Sequence, residues 1–185
     1  MDFRTYRKYS NTFIETGSHI GESIQAAISA GFEVVKSVEL HEPFYNRCRQ
    51  RFNENPDVHL YLGKSEEMIS EMVKDIPVPS VFWLDAHPAG EGTAGHEECL
   101  KGNTEVFQDT ILAKEIAIIL KNGRHVILID DQHGWATAQK FADMIDEYYP
   151  NAYEFKIEDE IRPGVHYKEK VLICIPLNTQ SLKTQ

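Results

Sequence analysis

Two apolar rhythms alternate along this chain. Short runs rich in β-branched and aromatic residues, at Thr12–Thr16, Glu33–Leu40, Val58–Leu62, Ser80–Ala86 and His125–Asp130, predict strands. Between them, helices are expected to begin near Ile20, Glu42, Ser65, Thr104 and Trp135. Met68, Ile69, Met72, Val73 and Ile76 line one helical stripe; Phe107, Ile111, Leu112, Ile116, Ile119 and Leu120 line another, which Asn122-Gly123 should end. Trp135, Ala138, Phe141, Ala142, Ile145 and Tyr149 form a third stripe, stopped by Pro150. Val81-Phe82-Trp83-Leu84 and Val126-Ile127-Leu128-Ile129 are apolar without alternation, the pattern of strands covered on both faces. The expected architecture is therefore α/β: a doubly wound, mostly parallel sheet with helices on both faces.

The last part of the chain breaks this rhythm. Tyr153, Phe155 and Ile157 alternate, Arg162-Pro163-Gly164 turns, and Val171–Ile175 is apolar again. Two strands with no helix between them should pair as a C-terminal antiparallel hairpin. A chain of 185 residues fits a single domain, expected over 12–176, with an N-terminal segment 1–11 before it and a polar tail 177–185 after it. The stretch His87–Asn103 is glycine-rich, charged and without period, and a loop of that length is usually functional.

Composition narrows the partners. A formal net charge of −10 and scattered basic residues argue against a nucleic-acid backbone. Arg47, Arg49 and Arg51 read as one solvated helix face. The sequence shows neither a membrane-spanning run nor a signal-peptide core, so no membrane partner is expected. Cys48, Cys99 and Cys174 are odd in number and far apart, which suits a reducing, cytoplasmic setting. His41, His59, His125 and His166 read as ordinary surface or strand-edge residues. The oligomeric state is open, a homodimer included.

Ligands of open parallel sheets bind beyond the carboxyl ends of the strands. The first strand runs through Glu15-Thr-Gly17-Ser-His-Ile-Gly21 directly into a helix, and glycines there let the backbone approach a ligand. His19 stands where a dinucleotide fingerprint needs glycine, and an acidic Glu15 suits a cationic group better than phosphates. The second strand ends in Glu39, placed to grip the two ribose hydroxyls of an adenosine. The fourth and fifth strands end in Asp85-Ala-His87 and Asp130-Asp131-Gln-His133. Three carboxylates in one mouth repel unless a cation neutralises them, and oxygen ligands favour a hard divalent ion, Mg²⁺ first. A zinc set of Asp85, His87, His96 and Cys99 is the weaker rival, because its spacing matches no common pattern.

The run Ile14-Glu15-Thr-Gly17-Ser18-His19-Ile-Gly21-Glu-Ser23 resembles motif I of the class I S-adenosylmethionine-dependent methyltransferases. It is most similar to the cation-dependent O-methyltransferases, of the caffeoyl-CoA and catechol type and the macrocin type. The resemblance covers about residues 12–175 and implies a Rossmann-like fold closed by an antiparallel hairpin. It implies that Glu15, Gly17, Ser18, His19, Gly21, Ser23, Glu39, Lys64, Ser65 and Asp85 surround the cofactor, Gly63-Lys64-Ser65 contacting adenine. It also implies that Asp85, Asp130 and Asp131 hold a divalent cation. That group carries a lysine base shortly after its first metal aspartate, where this chain has Pro88-Ala-Gly. His87 and His133 are the candidate bases in its place, since imidazole titrates near neutral pH. The expected activity is metal-assisted O-methylation of a small hydroxylated acceptor. Two other readings stay open: an enzyme that cleaves the same cofactor, and a non-catalytic module that binds adenosine ligands.

Overall fold

The strands that lack alternation occupy the middle of one seven-stranded sheet, where both faces are covered. The structure is a computed structural model describing residues 1–86, 104–132, 135–160 and 169–178, without the side chains of 104–110, 135–136, 160 and 169. The strands are β1 (Thr12–Thr16), β2 (Val34–Glu39), β3 (Val58–Leu62), β4 (Val81–Leu84), β5 (Val126–Gln132), β6 (Tyr153–Glu160) and β7 (Glu169–Pro176). Their spatial order is β3-β2-β1-β4-β5-β7-β6. The first five strands run parallel, while β7 lies antiparallel to both β5 and β6. The hairpin pairs Tyr153 with Pro176 at one end and Glu160 with Glu169 at the other. The expected mostly parallel sheet with a terminal hairpin is thus the architecture found.

Successive strand residues point to opposite faces, so neighbours along β1 enter different cores. Phe13, with Val35, Trp83, Leu128 and Ile173, packs against Ile24, Cys48 and Phe52. Those residues belong to α2 (Glu22–Ser29) and α3 (Glu42–Phe52). Ile14, with Phe82, Leu84, Ile129 and Leu172, packs against Ile69, Met72, Ile116 and Phe141. That second layer consists of α4 (Ser65–Met72), α5 (Thr104–Asn122) and α6 (Trp135–Tyr148). Each fully buried aliphatic or aromatic side chain contributes about 1.5–3 kcal/mol. The β3 edge is only half covered, with His59 and Leu62 exposed.

Local chemistry sets the helix ends. Gly21 adopts φ +81 as the N-cap of α2, and Pro43 lies in the first turn of α3. Arg49 and Arg51 complement the dipole at the last turn of α3. A four-residue helix, α1 (Arg4–Arg7), was not foreseen, because one turn is too short to show a period. Tyr6 within it and Phe3 at its N-cap are 2% and 3% exposed and extend the first core, Phe3 meeting Trp83 edge-on at 5.3 Å.

His125 is no surface residue. It is wholly buried; its Nδ1 accepts the Ser80 N–H at 2.9 Å, and its Nε2 lies 3.0 Å from Asn122 Oδ1. The ring therefore joins the end of α5 to the start of β4. Cys48 and Cys174 are buried and free. Among the described residues, no helix is long and apolar enough to cross a membrane. The His87–Asn103 stretch, the Arg162-Pro163-Gly164 turn, Cys99, His133, His166 and the tail from 179 lie outside the described residues.

Burial lowers the His125 pKa from 6.5 to about 4, so the folded state resists protonation while the unfolded chain accepts it. Its contribution is complete above pH 6.5 and is lost as pH falls towards 4. The melting-temperature advantage of wild type over His125→Gln should therefore shrink across that window. A constant difference would mean that the buried ring does not titrate there.

Candidate active site

The chain leaves β1, builds β2 and β3 to one side, and returns to add β4 on the other. That reversal opens the sheet between the carboxyl ends of β1 and β4, where doubly wound proteins place ligands. The turn after β1 is held by its own backbone. The amides of Gly17 and Ser18 both donate to the Val38 carbonyl, at 2.9 and 3.2 Å, and the Gly21 amide donates to Ser18 at 2.8 Å. On the other side the Asp85 amide donates to the Thr16 carbonyl at 3.0 Å. Gly17 has φ +90, and a Cβ there would lie 2.5 Å from the Asp85 carbonyl oxygen. Only glycine permits that approach. A Cβ at Gly21 would fall 2.6 Å from the Phe52 ring, so this glycine serves packing as well as the cap.

Glu39 ends β2 with its carboxylate in a backbone clamp. Oε2 accepts the His19 amide at 2.8 Å and Oε1 accepts the His41 amide at 2.7 Å. Each oxygen keeps a further lone pair, so the fixed carboxylate can still accept two adjacent hydroxyls. Phe44 lies between the rings of His19 and His41, at 4.4 and 4.8 Å. Leu40 and Leu62, at the ends of β2 and β3, are 48% and 43% exposed and give apolar surface near the carboxylate. Gly63 follows with φ +150, its amide donating to the Glu39 carbonyl at 3.0 Å. Lys64 is exposed, and Ser65 is buried at the start of α4.

Glu15 departs from the expectation of an ionised group facing a cation. It is fully buried beneath the turn; Ser23 donates to Oε1, Ser37 donates to Oε2 at 2.5 Å, and Ser18 meets Ser37 at 2.6 Å. Burial pushes its carboxyl up to about 8, against the opposing effect of the Ser23 and Ser37 hydroxyls. At neutral pH Glu15 is a neutral acid that joins β1, β2 and α2.

A second buried acid escaped the sequence reading. Glu115 on α5 is fully buried and accepts the Thr16 hydroxyl at 3.3 Å. Burial raises it too to about 8, with the Ser65 and Thr16 hydroxyls opposing. A signal existed: Leu112, Glu115 and Ile119 are spaced three and four apart, which puts the acid on the apolar stripe.

The aspartates are distributed differently. Asp85 and Asp130 each lie one position beyond the Leu84–Ile129 pair of β4 and β5. Asp130 is 1% exposed, and Asp131 has φ +56 where the pairing of β5 with β7 shifts. Among the described residues, no group of three or more His, Cys, Asp or Glu side chains is placed to hold a metal ion. His87 and His133, with His96 of the rival zinc set, lie outside the described residues.

Solved structures of methyltransferases share this fold. One is the O-methyltransferase TomG from Streptomyces achromogenes, involved in tomaymycin synthesis, solved with S-adenosylmethionine. It is 13% identical over 94% of this chain and 75% of its own, with a TM-score of 0.65. An O-methyltransferase from Bacillus cereus in complex with S-adenosylhomocysteine is 14% identical over 94% and 76%, with a TM-score of 0.58. An rRNA methylase from Streptococcus thermophilus is 11% identical over 95% and 93%, with a TM-score of 0.56. Identities this low show a common fold. The sequence matches no family model and no curated protein.

Gly17→Ala combines a left-handed backbone with a collision against main-chain atoms that cannot swing away. Urea unfolding should show a loss of about 1–3 kcal/mol, the usual strain of such a conformation. An unchanged midpoint would mean that β1 and β4 need not meet there.

Proposed function

We propose that this chain is an S-adenosylmethionine-dependent methyltransferase that acts on a hydroxyl of a small molecule. The Glu39 clamp carries the reading: a buried carboxylate oriented by two backbone amides, next to a glycine turn at the sheet's reversal point. Its free lone pairs suit the vicinal ribose hydroxyls, and exposed Leu40 and Leu62 suit an apolar base. S-adenosylmethionine, when bound, supplies a methyl group activated by its sulfonium.

The chain's own residues would then bind and orient. Glu39 holds the ribose, while Lys64 and Ser65 lie by the base. Gly17, Ser18, His19 and Gly21 line the amino-acid end, with Ser23 and Glu15 holding the turn beneath. Asp85 closes the β4 side. The acceptor hydroxyl must lose its proton as its oxygen takes the methyl group, and His87 and His133 are the candidate bases. Fixing oxygen and methyl in line supplies much of the acceleration.

Small acceptors are favoured over RNA, despite the rRNA methylase among the similar folds. The net charge of −10 would repel a phosphate backbone. Two buried free thiols accord with a cytoplasmic protein. S-adenosylhomocysteine as product supports transfer, and methylthioadenosine would instead support cofactor cleavage.

Calorimetry with S-adenosylhomocysteine should show Glu39→Ala binding about 1–3 kcal/mol more weakly, the cost of losing hydrogen bonds to a charged group. Wild-type affinity in the variant would remove Glu39 from the cofactor site. Asp85, Asp130 and Asp131 are the residues that would hold a divalent ion, which when bound would chelate the acceptor and lower the pKa of its hydroxyl. Chelator should leave this affinity unchanged, since the clamp is built from protein groups. A magnesium-induced rise in melting temperature, lost in both Asp85→Asn and Asp130→Asn, supports the metal-assisted form, and no rise in wild type would overturn it.

A further inference from the structure

The sheet ends in β3 on one side and β6 on the other, and the two edges differ in kind. Charge, proline and bulges are the usual devices that keep an edge strand solitary. β6 reads Tyr-Glu-Phe-Lys-Ile-Glu-Asp-Glu, so pairing with its own copy would set acid against acid. β3 reads Val-His-Leu-Tyr-Leu, with no acid, lysine or proline, and its register with β2 is regular. Alternate residues of a strand turn their backbone groups to the same side. The Val35 amide donates to the Asp57 carbonyl at 2.8 Å, and the Gly63 amide donates to the Glu39 carbonyl at 3.0 Å. Asp57, His59, Tyr61 and Gly63 therefore face β2, which leaves Val58, Leu60 and Leu62 facing outward. The Val58 amide donates to the Asn55 carbonyl at 3.3 Å, whereas the Leu60 and Leu62 amides meet no partner among the described residues. Cover over this strand is uneven. α3 packs on β3, but α4 packs on β2 and β1, so His59 stays exposed and Tyr61 only half-buried.

We propose that β3 is a self-pairing edge: a second copy of this chain adds its own β3, antiparallel, about a two-fold axis at Leu60. Parity selects that register. Each outward residue then meets an outward residue, with a reciprocal pair of hydrogen bonds between the Leu60 copies. Each Leu62 amide likewise reaches the carbonyl of Val58 of the partner subunit. Every facing pair of side chains is compatible: Leu60 with its copy, Val58 with the partner's Leu62, and His59 with the partner's Tyr61. Beyond the strand, exposed Asp57 lies diagonal to Lys64 of the partner subunit, and the two-fold axis repeats that opposite-charge contact. A five-residue strand alone buries too little for a stable dimer, so α3 contributes as well. The axis sets α3 antiparallel to its copy, with Glu42 of one helix towards the end that carries Arg49 and Arg51 in the other. The pairing also covers exposed Leu62, beside the segment placed at the adenine above, but it does not depend on that function.

Sedimentation velocity of the full chain between about 1 and 100 µM should show a monomer–dimer equilibrium, since concentration drives association. Hydrogen exchange at the Leu60 and Leu62 amides should slow over the same range. Asp57→Lys and Lys64→Glu each bring like charges together on both sides of the axis, and each should weaken the dimer about three- to tenfold. Both side chains are exposed, so the fold should be kept, as an unchanged circular dichroism spectrum would show. Combining Asp57→Lys with Lys64→Glu restores opposite charges across the axis and should return the dimer to within about twofold of wild type. A wild-type monomer at the highest concentration overturns the pairing. So does a dimer that neither single change weakens, or a double variant that associates no better than the single ones.

Discussion

Contact between Gly17 and the main chain of Asp85 is the constraint on which the site depends. In a doubly wound sheet the strands at the reversal point diverge towards opposite crossovers, and the gap between them becomes the ligand cleft. Here the gap is narrowed at its floor, because the turn after β1 lies directly on the end of β4. The same turn hangs from the Val38 carbonyl through two amides, which couples it to β2. Three strand ends are thereby locked together before any ligand arrives. The His19 amide, left pointing at Glu39, is a direct product of that turn.

Two neutral acids bracket this junction from opposite faces of β1. Glu15 gathers hydroxyls from α2 and β2, and Glu115 accepts the Thr16 hydroxyl of β1. A charged carboxylate in either place would carry a large desolvation cost, whereas a protonated acid is both donor and acceptor and costs far less. Each acid joins elements distant in sequence, Thr16 and Glu115 being separated by 99 positions. Glu39 differs from both in taking its hydrogen bonds from two backbone amides at the end of β2.

Stability and function are divided between the two layers. The face bearing α2 and α3 supplies the turn, the Glu39 surroundings and the aromatic contacts of Phe44 with two imidazoles. The face bearing α4, α5 and α6 carries the larger aliphatic core, and buried Glu115 meets Thr16 of β1 there.

Much of this was written in local pattern. Unbroken apolar runs at Val81–Leu84 and Val126–Ile129 required two covered faces, and the missing helix before Val171 required an antiparallel return. Glycines at 17 and 21 and an acid at 39 were legible because turn geometry and strand length act over a few residues. What only the tertiary structure decided depends on neighbours that sequence spacing does not reveal. The burial that makes Glu15 a neutral structural acid comes from the packing of the folded chain, against the pull of the Ser23 and Ser37 hydroxyls. The burial of His125 comes from Ser80 and Asn122. The bulge that turns Asp131 comes from its pairing with β7. A residue type fixes which bonds are possible, but burial and charge state are set by the elements that fold against it.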